Sequence, residues 1–301
     1  MAGRLIDSHV HVWAPVERKE EFPFYGQMLG ASSNDPPMPG HAEVLLAAME
    51  EAGVSGALIV QPSNHQFDHS YLNSVLEQYP DKFVGCLLAD PTPGGGGAAA
   101  IEQLATEHGY RAVRFNPYLW PEGEKMTNEV GQAMYKKAGE LGLPVGHMPF
   151  KGLLLHIDEI EQLLQQNPAT KAIIDHMGFC KCDNLQSEEW QRLLGLAKYP
   201  QVYVKASAFF RVSAQQQYPY ADTCAGLKAL VDAFGAQRVM WGSDFPWITS
   251  VEGFGYVKGW QLLDDVEAAT GEQLLTQEQR QWVFGGTIAG LFPGSWQQRS
   301  S

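Results

Sequence analysis

The stretch LIDSHVHVW, residues 5–13, decides the fold of this 301-residue chain. It is rich in β-branched and apolar residues, and most of the comparable runs that follow are nearly continuous in hydrophobic residues, which is typical of strands buried on both faces of a parallel sheet. His9 and His11 stand two residues apart within it. Because side chains alternate along a strand with a period of two, both imidazoles point to the same side. The segment therefore predicts a buried first strand that presents two histidines together.

Seven further runs of this kind follow, separated by helical patterns. The eight predicted strands are 5–13, 57–61, 83–89, 112–118, 144–148, 172–176, 202–206 and 239–243. The predicted helices are 42–52, 71–78, 98–107, 130–141, 157–166, 188–197 and 224–234, with two more near 257–268 and 277–284. From the second strand onward the starts are about 30 residues apart, the length of one βαβ repeat. Strands and helices in this alternation predict an α/β fold, a (β/α)8 TIM barrel.

Although a few loop segments interrupt the repeat, no domain boundary is recognisable, so we predict a single domain over residues 1–301. Residues 14–40 follow the first strand and are rich in Pro, Gly, Ser and charged residues. They are long for a connection between a strand and a helix. We therefore expect a loop insertion at 14–40, or a flap over an active site.

Composition limits the classes of function. Hydrophobic residues make up 45% of the chain and charged residues 18%, which excludes a disordered, collagenous or coiled-coil protein. The formal net charge of −13 argues against nucleic acid or an anionic membrane as a partner. Four cysteines do not make a disulfide framework, and no signal peptide or membrane span is recognisable. We expect a cytoplasmic protein that acts on a small molecule, and the sequence leaves its oligomeric state open.

Ionisable side chains are concentrated where the predicted strands end, the edge at which a barrel carries its chemistry. These residues are His9, His11, Arg114, Asn116, His147, Asp175, His176, Lys205 and Asp244. Packing alone explains such a set poorly, because buried charges are costly unless they are paired.

Residue chemistry leaves several roles open. His9 and His11 are able to share a metal ion or a substrate oxygen, and the alternative is a structural pair. Asp244 directly follows a buried strand, where a carboxylate serves as a metal ligand or as a general base for water, or else as a helix N-cap. Lys205 is either a general acid or base, or an ion-pair partner.

Six motifs extend this pattern nearly from end to end: IDSHVH (6–11), AVRFN (112–116), IDHMG (174–178), VYVK (202–205), WGSDFP (241–246) and GTIAGLF (286–292). In this order they resemble the amidohydrolase superfamily, in particular its amidohydrolase-related branch of sugar and aromatic-acid lactonases. The resemblance implies a hydrolase that opens a small cyclic ester, most simply a lactone.

In lactonases resembling 2-pyrone-4,6-dicarboxylate lactonase, the equivalent of Asp244 takes a proton from the attacking water. The equivalents of His9, His11 and His176 hold and polarise the lactone carbonyl, and no metal is required. The resemblance thus implies that these four residues are catalytic.

The arginine that matches Arg114 binds a substrate carboxylate in those enzymes, a role that suits its two-pronged donor set. Arg211, Asn116 and Lys205 are further candidates for substrate binding. No second arginine follows Arg114 in its loop, where the dicarboxylate enzyme has one. We therefore expect an anionic or cyclic substrate that is not a dicarboxylate.

A metal stays open at this stage. Metal-dependent relatives, including zinc decarboxylases, use a histidine of the fifth strand as a ligand. His147, with His9, His11 and Asp244, would complete a mononuclear zinc site, provided that its side chain faces the pocket; one residue of register decides this. The expected cofactor is none or one divalent metal, zinc first. The alternative functions are a zinc-dependent decarboxylase or amide hydrolase, and a barrel that binds a metabolite without catalysis.

Overall fold

The computed structural model describes residues 4–26 and 33–296. Within them, parallel strands pair with one another in chain order, from β1 to β8. The strands are β1 Ile6–Val10, β2 Gly56–Val60, β3 Phe83–Leu88, β4 Ala112–Phe115, β5 Val145–His147, β6 Ala172–Ile174, β7 Val202–Ser207 and β8 Val239–Gly242. The prediction of a (β/α)8 barrel is confirmed.

Helices connect the strands and cover the outside of the sheet. They are α1 Ala42–Ala52, α2 Ser70–Gln78, α3 Gly97–Glu107, α4 Glu129–Glu140, α5 Ile157–Gln166, α6 Glu188–Gly195, α7 Phe209–Val212, α8 Ala221–Phe234, α9 Tyr256–Thr270, α10 Gln277–Gln281 and α11 Thr287–Leu291. The predicted helix 277–284 is α10 followed by a π-helical turn, Trp282–Gly286. None of the described helices is both long and apolar enough to cross a membrane.

Hydrophobic periodicity explains how these helices pack. In α5 the buried residues are Ile157, Ile160, Leu163 and Leu164, which form one face of the helix. Such faces meet the outward side chains of the strands in an outer cluster. The inward side chains form a separate inner cluster, which includes Ile288 and Leu291 of α11. The core therefore has two layers, one on each side of the barrel wall.

An irregularity in β1 sets the direction of its histidines. Ile6 belongs to the inner cluster and Val10 to the outer one, although regular alternation would place both on the same side. The register against β2 shifts between Asp7 and Val10, as a β-bulge does when it adds one residue to a strand. With Val10 turned outward, its neighbours His9 and His11 both face the barrel interior.

The barrel closes between β1 and the chain that follows β8. The amide of Asp244 donates to the carbonyl of His9 at 2.9 Å, and the amide of His11 donates to the carbonyl of Phe245 at 2.7 Å. These two hydrogen bonds fix the segment that carries Asp244 against the segment that carries the two histidines.

Candidate active site

A cavity of about 240 Å³ lies at the carboxyl ends of the strands, where (β/α)8 barrels carry their chemistry. Its lining residues are His11, Gln61, Pro62, Ser63, Leu88, Arg114, Asn116, Met148, Phe150, His176, Phe179, Arg211, Asp244 and Trp247. No described residue of the segment 14–40 is among them. Residues 27–32 of the segment lie outside the described residues.

Three histidines surround one carboxylate oxygen at the base of the cavity. Asp244 Oδ1 lies 3.7 Å from His11 Nε2, 3.9 Å from His176 Nε2 and 4.0 Å from His9 Nε2. These distances are too long for direct hydrogen bonds, so the four side chains converge without binding one another through this oxygen. The structure thus brings together the four residues for which the sequence predicts a catalytic role.

The histidines are neutral at physiological pH. Burial lowers the pKa of His11 to about 3. Burial also holds the pKa of His9 and that of His176 well below the usual range. His11 Nδ1 lies 2.7 Å from the carbonyl oxygen of Val60, which only accepts, so Nδ1 carries the proton and Nε2 presents a lone pair.

Asp244 has the electrostatics of a base that works near neutral pH. Burial raises its pKa to about 6, and Arg211, whose Nε donates to Asp244 Oδ2 at 2.8 Å, opposes the rise. Its backbone lies in the left-handed region with φ of 64°, a conformation that few non-glycine residues adopt. A carboxylate of this pKa is mostly ionised at pH 7 and takes up a proton readily.

Arg114 presents a cationic group to the cavity. It is only 6% exposed, and its Nε lies 3.2 Å from Asp175 Oδ2. Neither of its Nη atoms makes a hydrogen bond with another described residue. Burial would raise the pKa of Asp175, but Lys205, His9 and Arg114 hold it well below its usual range. Arg114 is thus anchored by an ionised carboxylate and keeps donors for an anion or a carbonyl oxygen. Asn116 and Arg211, two other candidates for substrate binding, also line the cavity.

The structure does not bring His147 to the other candidate ligands. Its ring stacks on the ring of Tyr135 of α4, with 5.8 Å between the ring centroids, and contacts the ring of Phe115 edge-on. These contacts lie in the layer between strands and helices. The neighbouring Gly146 takes the inward position on β5. The register of β5 turns the side chain of His147 outward, away from the other candidate ligands. A ligand role for His147 therefore does not fit this geometry.

Lys205 faces the barrel interior. It is not one of the described residues that line the cavity. Its Nζ lies 3.0 Å from Asp175 Oδ1 and 3.0 Å from His9 Nδ1. These contacts do not fit the predicted role in substrate binding; they match the ion-pair alternative.

Two residues of this site were not predicted from the sequence. Ser207 Oγ lies 2.7 Å from His176 Nδ1, and the alternation along β7 would have placed Ser207 on the same face as Lys205. Asp7 accepts hydrogen bonds from the backbone amides of His9 and Ser243. It lies inside the first motif, but nothing in its local sequence indicates a partner after β8.

His9, His176 and Asp244 form a candidate metal site among the described residues, since one ligand atom of each lies within 4.8 Å of the others. Asp244 Oδ1 lies 3.9 Å from His176 Nε2 and 4.0 Å from His9 Nε2, somewhat farther than the roughly 3.3–3.6 Å between the ligand atoms of a tetrahedral zinc ion. The hydrogen bond between Lys205 and His9 opposes cation binding at His9. Its Nδ1 faces the ammonium of Lys205, which leaves the imidazole proton on Nε2, the atom that would have to bind the cation.

A (β/α)8 barrel that gathers ionisable side chains in a cavity at the carboxyl ends of its strands has the arrangement of an enzyme active site. The chain belongs to the amidohydrolase family, whose model matches residues 6–294. The membership predicted from the six motifs is confirmed, and the match supports the prediction of a hydrolase.

Individual relatives agree with this assignment. An L-fucono-1,5-lactonase of Burkholderia ambifaria is 27% identical to this chain over 95% of it and 94% of the relative. Among solved structures, a 2-pyrone-4,6-dicarboxylic acid hydrolase from Pseudomonas putida superposes with a TM-score of 0.76 at 22% identity, covering 97% of this chain and 98% of the other. An amidohydrolase from Burkholderia multivorans with bound zinc has a TM-score of 0.69 at 18% identity, covering 96% and 98%.

Proposed function

We propose that this protein hydrolyses a lactone and that Asp244 is the general base. The observation that carries the proposal is the buried carboxylate of Asp244, with a pKa raised to about 6, at the centre of three neutral histidines in a cavity. The lactonase relative at 27% identity supports a cyclic ester as the substrate.

The geometry supports a reaction in which water binds at Asp244 Oδ1. Asp244 takes one proton of this water, and the water oxygen attacks the lactone carbonyl carbon. We assign Ser207 as the donor to His176 Nδ1, so that His176 Nε2–H points into the cavity. This N–H and the free Nη atoms of Arg114 stabilise the negative charge on the carbonyl oxygen. When the ring C–O bond breaks, Asp244 returns its proton to the ring oxygen, and the product is a hydroxy acid.

Charge favours a substrate with no more than one carboxylate. Three basic groups, Arg114, Lys205 and Arg211, are paired with two acidic ones, Asp175 and Asp244, and the carboxylate of Asp7 lies behind His9. With neutral histidines these groups carry at most one net positive charge, which suits a neutral sugar lactone or a monocarboxylate. Phe150, Phe179 and Trp247 line the same cavity and offer apolar surface to a ring.

The test measures proton release with L-fucono-1,5-lactone, other sugar lactones and 2-pyrone-4,6-dicarboxylate. We expect a neutral or singly charged lactone to be turned over, and Asp244→Asn to lower kcat by about 10²–10⁴-fold, the usual contribution of a general base. The matched control is Asp183→Asn, the same change at an exposed aspartate, which should leave kcat unchanged. Full activity of a folded Asp244→Asn variant, or no turnover of any lactone by the wild type, would refute the proposal.

A second candidate is a cation-dependent decarboxylase or amide hydrolase in the same cavity, which the grouping of His9, His176 and Asp244 favours. Zinc is the ion that such a donor set suits best. Elemental analysis of protein purified without added metal or chelator distinguishes the two candidates. Near-stoichiometric zinc or manganese, with activity lost on chelation, would put the second candidate first.

A further inference from the structure

Lys205 is a buried cation that the proposed reaction does not use. It lies on β7 and is 2% exposed. A buried ammonium is costly unless its hydrogen bonds are satisfied. Its two close partners among the described residues are the carboxylate of Asp175 and the imidazole of His9, each at 3.0 Å. Asp175 balances the charge, so the contact with His9 calls for a separate explanation.

The contact fixes the position of a proton. An ammonium has only donors, so His9 Nδ1 must accept and carries no proton itself. A neutral His9 then bears its proton on Nε2, which lies 3.3 Å from His11 Nε2. His11 Nε2 is unprotonated, because its Nδ1 donates to the carbonyl of Val60 at 2.7 Å. The hydrogen bonds therefore run in one direction, from Lys205 through His9 and His11 to Val60.

Metal binding at His9 would need these hydrogen bonds to run in the opposite direction. A histidine that binds a cation through Nε2 must carry its proton on Nδ1. On His9 that proton would point to Asp175 Oδ1 at 3.4 Å, but it would also face the Lys205 ammonium at 3.0 Å. Two donors would then oppose each other, and the cation would lie close to the positive charges of Lys205 and Arg211.

We propose that Lys205 is a positioning residue that holds His9 as the Nε2–H tautomer and thereby keeps a divalent cation out of the group His9, His176 and Asp244. The ammonium blocks the tautomer that would bind metal, although one ligand atom of each of the three side chains lies within 4.8 Å of the others. Without it, His9 turns its proton toward Asp175, and His9 Nε2 becomes a ligand. The hydroxyl of Ser207 is able to accept as well as donate, so His176 is able to place its proton on Nδ1 and offer Nε2 to the same cation. The inference does not depend on which substrate the site hydrolyses.

The first test observes the tautomer by ¹⁵N NMR of the histidine side chains, assigned with a His9→Ala variant. In the wild type we expect His9 to show a protonated Nε2 and an unprotonated Nδ1. In Lys205→Met, which keeps an unbranched chain without the charge, we expect the reverse. Lys136→Met, at a lysine whose side chain is 74% exposed, is the matched control and should match the wild type. A wild-type His9 with its proton on Nδ1 would overturn the proposal, and this measurement needs no folded variant of Lys205.

The second test titrates metal-free protein with Co²⁺ and follows its visible absorption. Lys205→Met should bind one Co²⁺ per chain at least about tenfold more tightly than the wild type, the scale on which groups behind a ligand change metal affinity. Adding Asp244→Asn to Lys205→Met should remove the bands. Equal affinity in the wild type and Lys205→Met would contradict the proposal. Neither test uses a substrate, so a failure of lactone hydrolysis would not affect the result.

Discussion

The carboxylate of Asp244 sets the pH range in which the enzyme can work. Burial raises its pKa to about 6, and a general base acts only when it is ionised. We therefore expect kcat/KM for lactone hydrolysis to be level near neutral pH and to fall about tenfold per pH unit below about pH 6. The measurement is kcat/KM from about pH 4.5 to about pH 8, corrected for spontaneous hydrolysis.

Arg211 provides the control for this pH profile. Its charge opposes the rise in the pKa of Asp244. Arg211→Gln removes that charge, so the pKa of Asp244 should increase and the acid limb should move to higher pH. Arg211→Lys keeps a positive charge and should move the limb less. A limb that stays in place in Arg211→Gln would show that another group controls the profile.

Local sequence predicted individual residues only where their orientation follows from their neighbours. The spacing of His9 and His11 placed them on one side of a strand, and the structure agrees. His147 depended on one residue of register, which no local pattern fixes. The contact between Lys205 and His9 joins residues 196 positions apart, and only the closed barrel brings them together.

Strands and helices were predictable because the periodicity of hydrophobic residues indicates which face of each element is buried. The predicted helices 42–52 and 157–166 coincide with α1 and α5. The bulge in β1 was not predictable, because it depends on the register against β2 and on an acceptor for its backbone amides. The conformation of the segment 14–40 was not predictable either, because a loop has no hydrophobic periodicity.

Asp7 should hold the bulged strand and the chain after β8 together. Its Oδ1 accepts from the amides of His9 and Ser243 at 2.9 and 3.0 Å, and its Oδ2 accepts from the hydroxyl of Tyr256 at 2.9 Å. Asp7→Ala leaves three buried donors without an acceptor, each at a cost of about 1–3 kcal/mol. We expect the free energy of unfolding in urea to fall by about 3 kcal/mol or more, and kcat to fall with it.

The isosteric variant Asp7→Asn tests this explanation. Its side-chain oxygen is still able to accept from the two backbone amides, and its amide nitrogen is able to donate to the hydroxyl oxygen of Tyr256. The loss of stability should therefore be clearly smaller than in Asp7→Ala. If the two variants unfolded at the same urea concentration, the hydrogen bonds would not be the cause.

On the scale of the whole molecule, the two ends of the barrel have separate tasks. The carboxyl ends of the strands carry the cavity, whereas α11, Phe292 and Trp296 extend the inner cluster. Trp296 is 5% exposed, its Nε1 donates to the carbonyl of Lys82 at 3.0 Å, and its ring lies directly against Gly56 at the start of β2. It therefore packs at the amino end of the barrel, the end that serves stability.

Trp296→Ala should separate stability from catalysis. Removing a buried indole leaves a cavity and costs about 3–5 kcal/mol, so Tm should fall by roughly 10 °C. Because the change lies at the end of the barrel opposite Asp244, kcat and KM should stay within about twofold of the wild type at a temperature where both are folded. Trp247→Ala is the matched control at the other end: its ring lines the cavity and faces the Arg211 guanidinium at 5.4 Å. That variant should raise KM with a smaller change in Tm. A Trp296→Ala variant that loses activity as strongly as stability would mean that the amino end of the barrel also controls the geometry around Asp244.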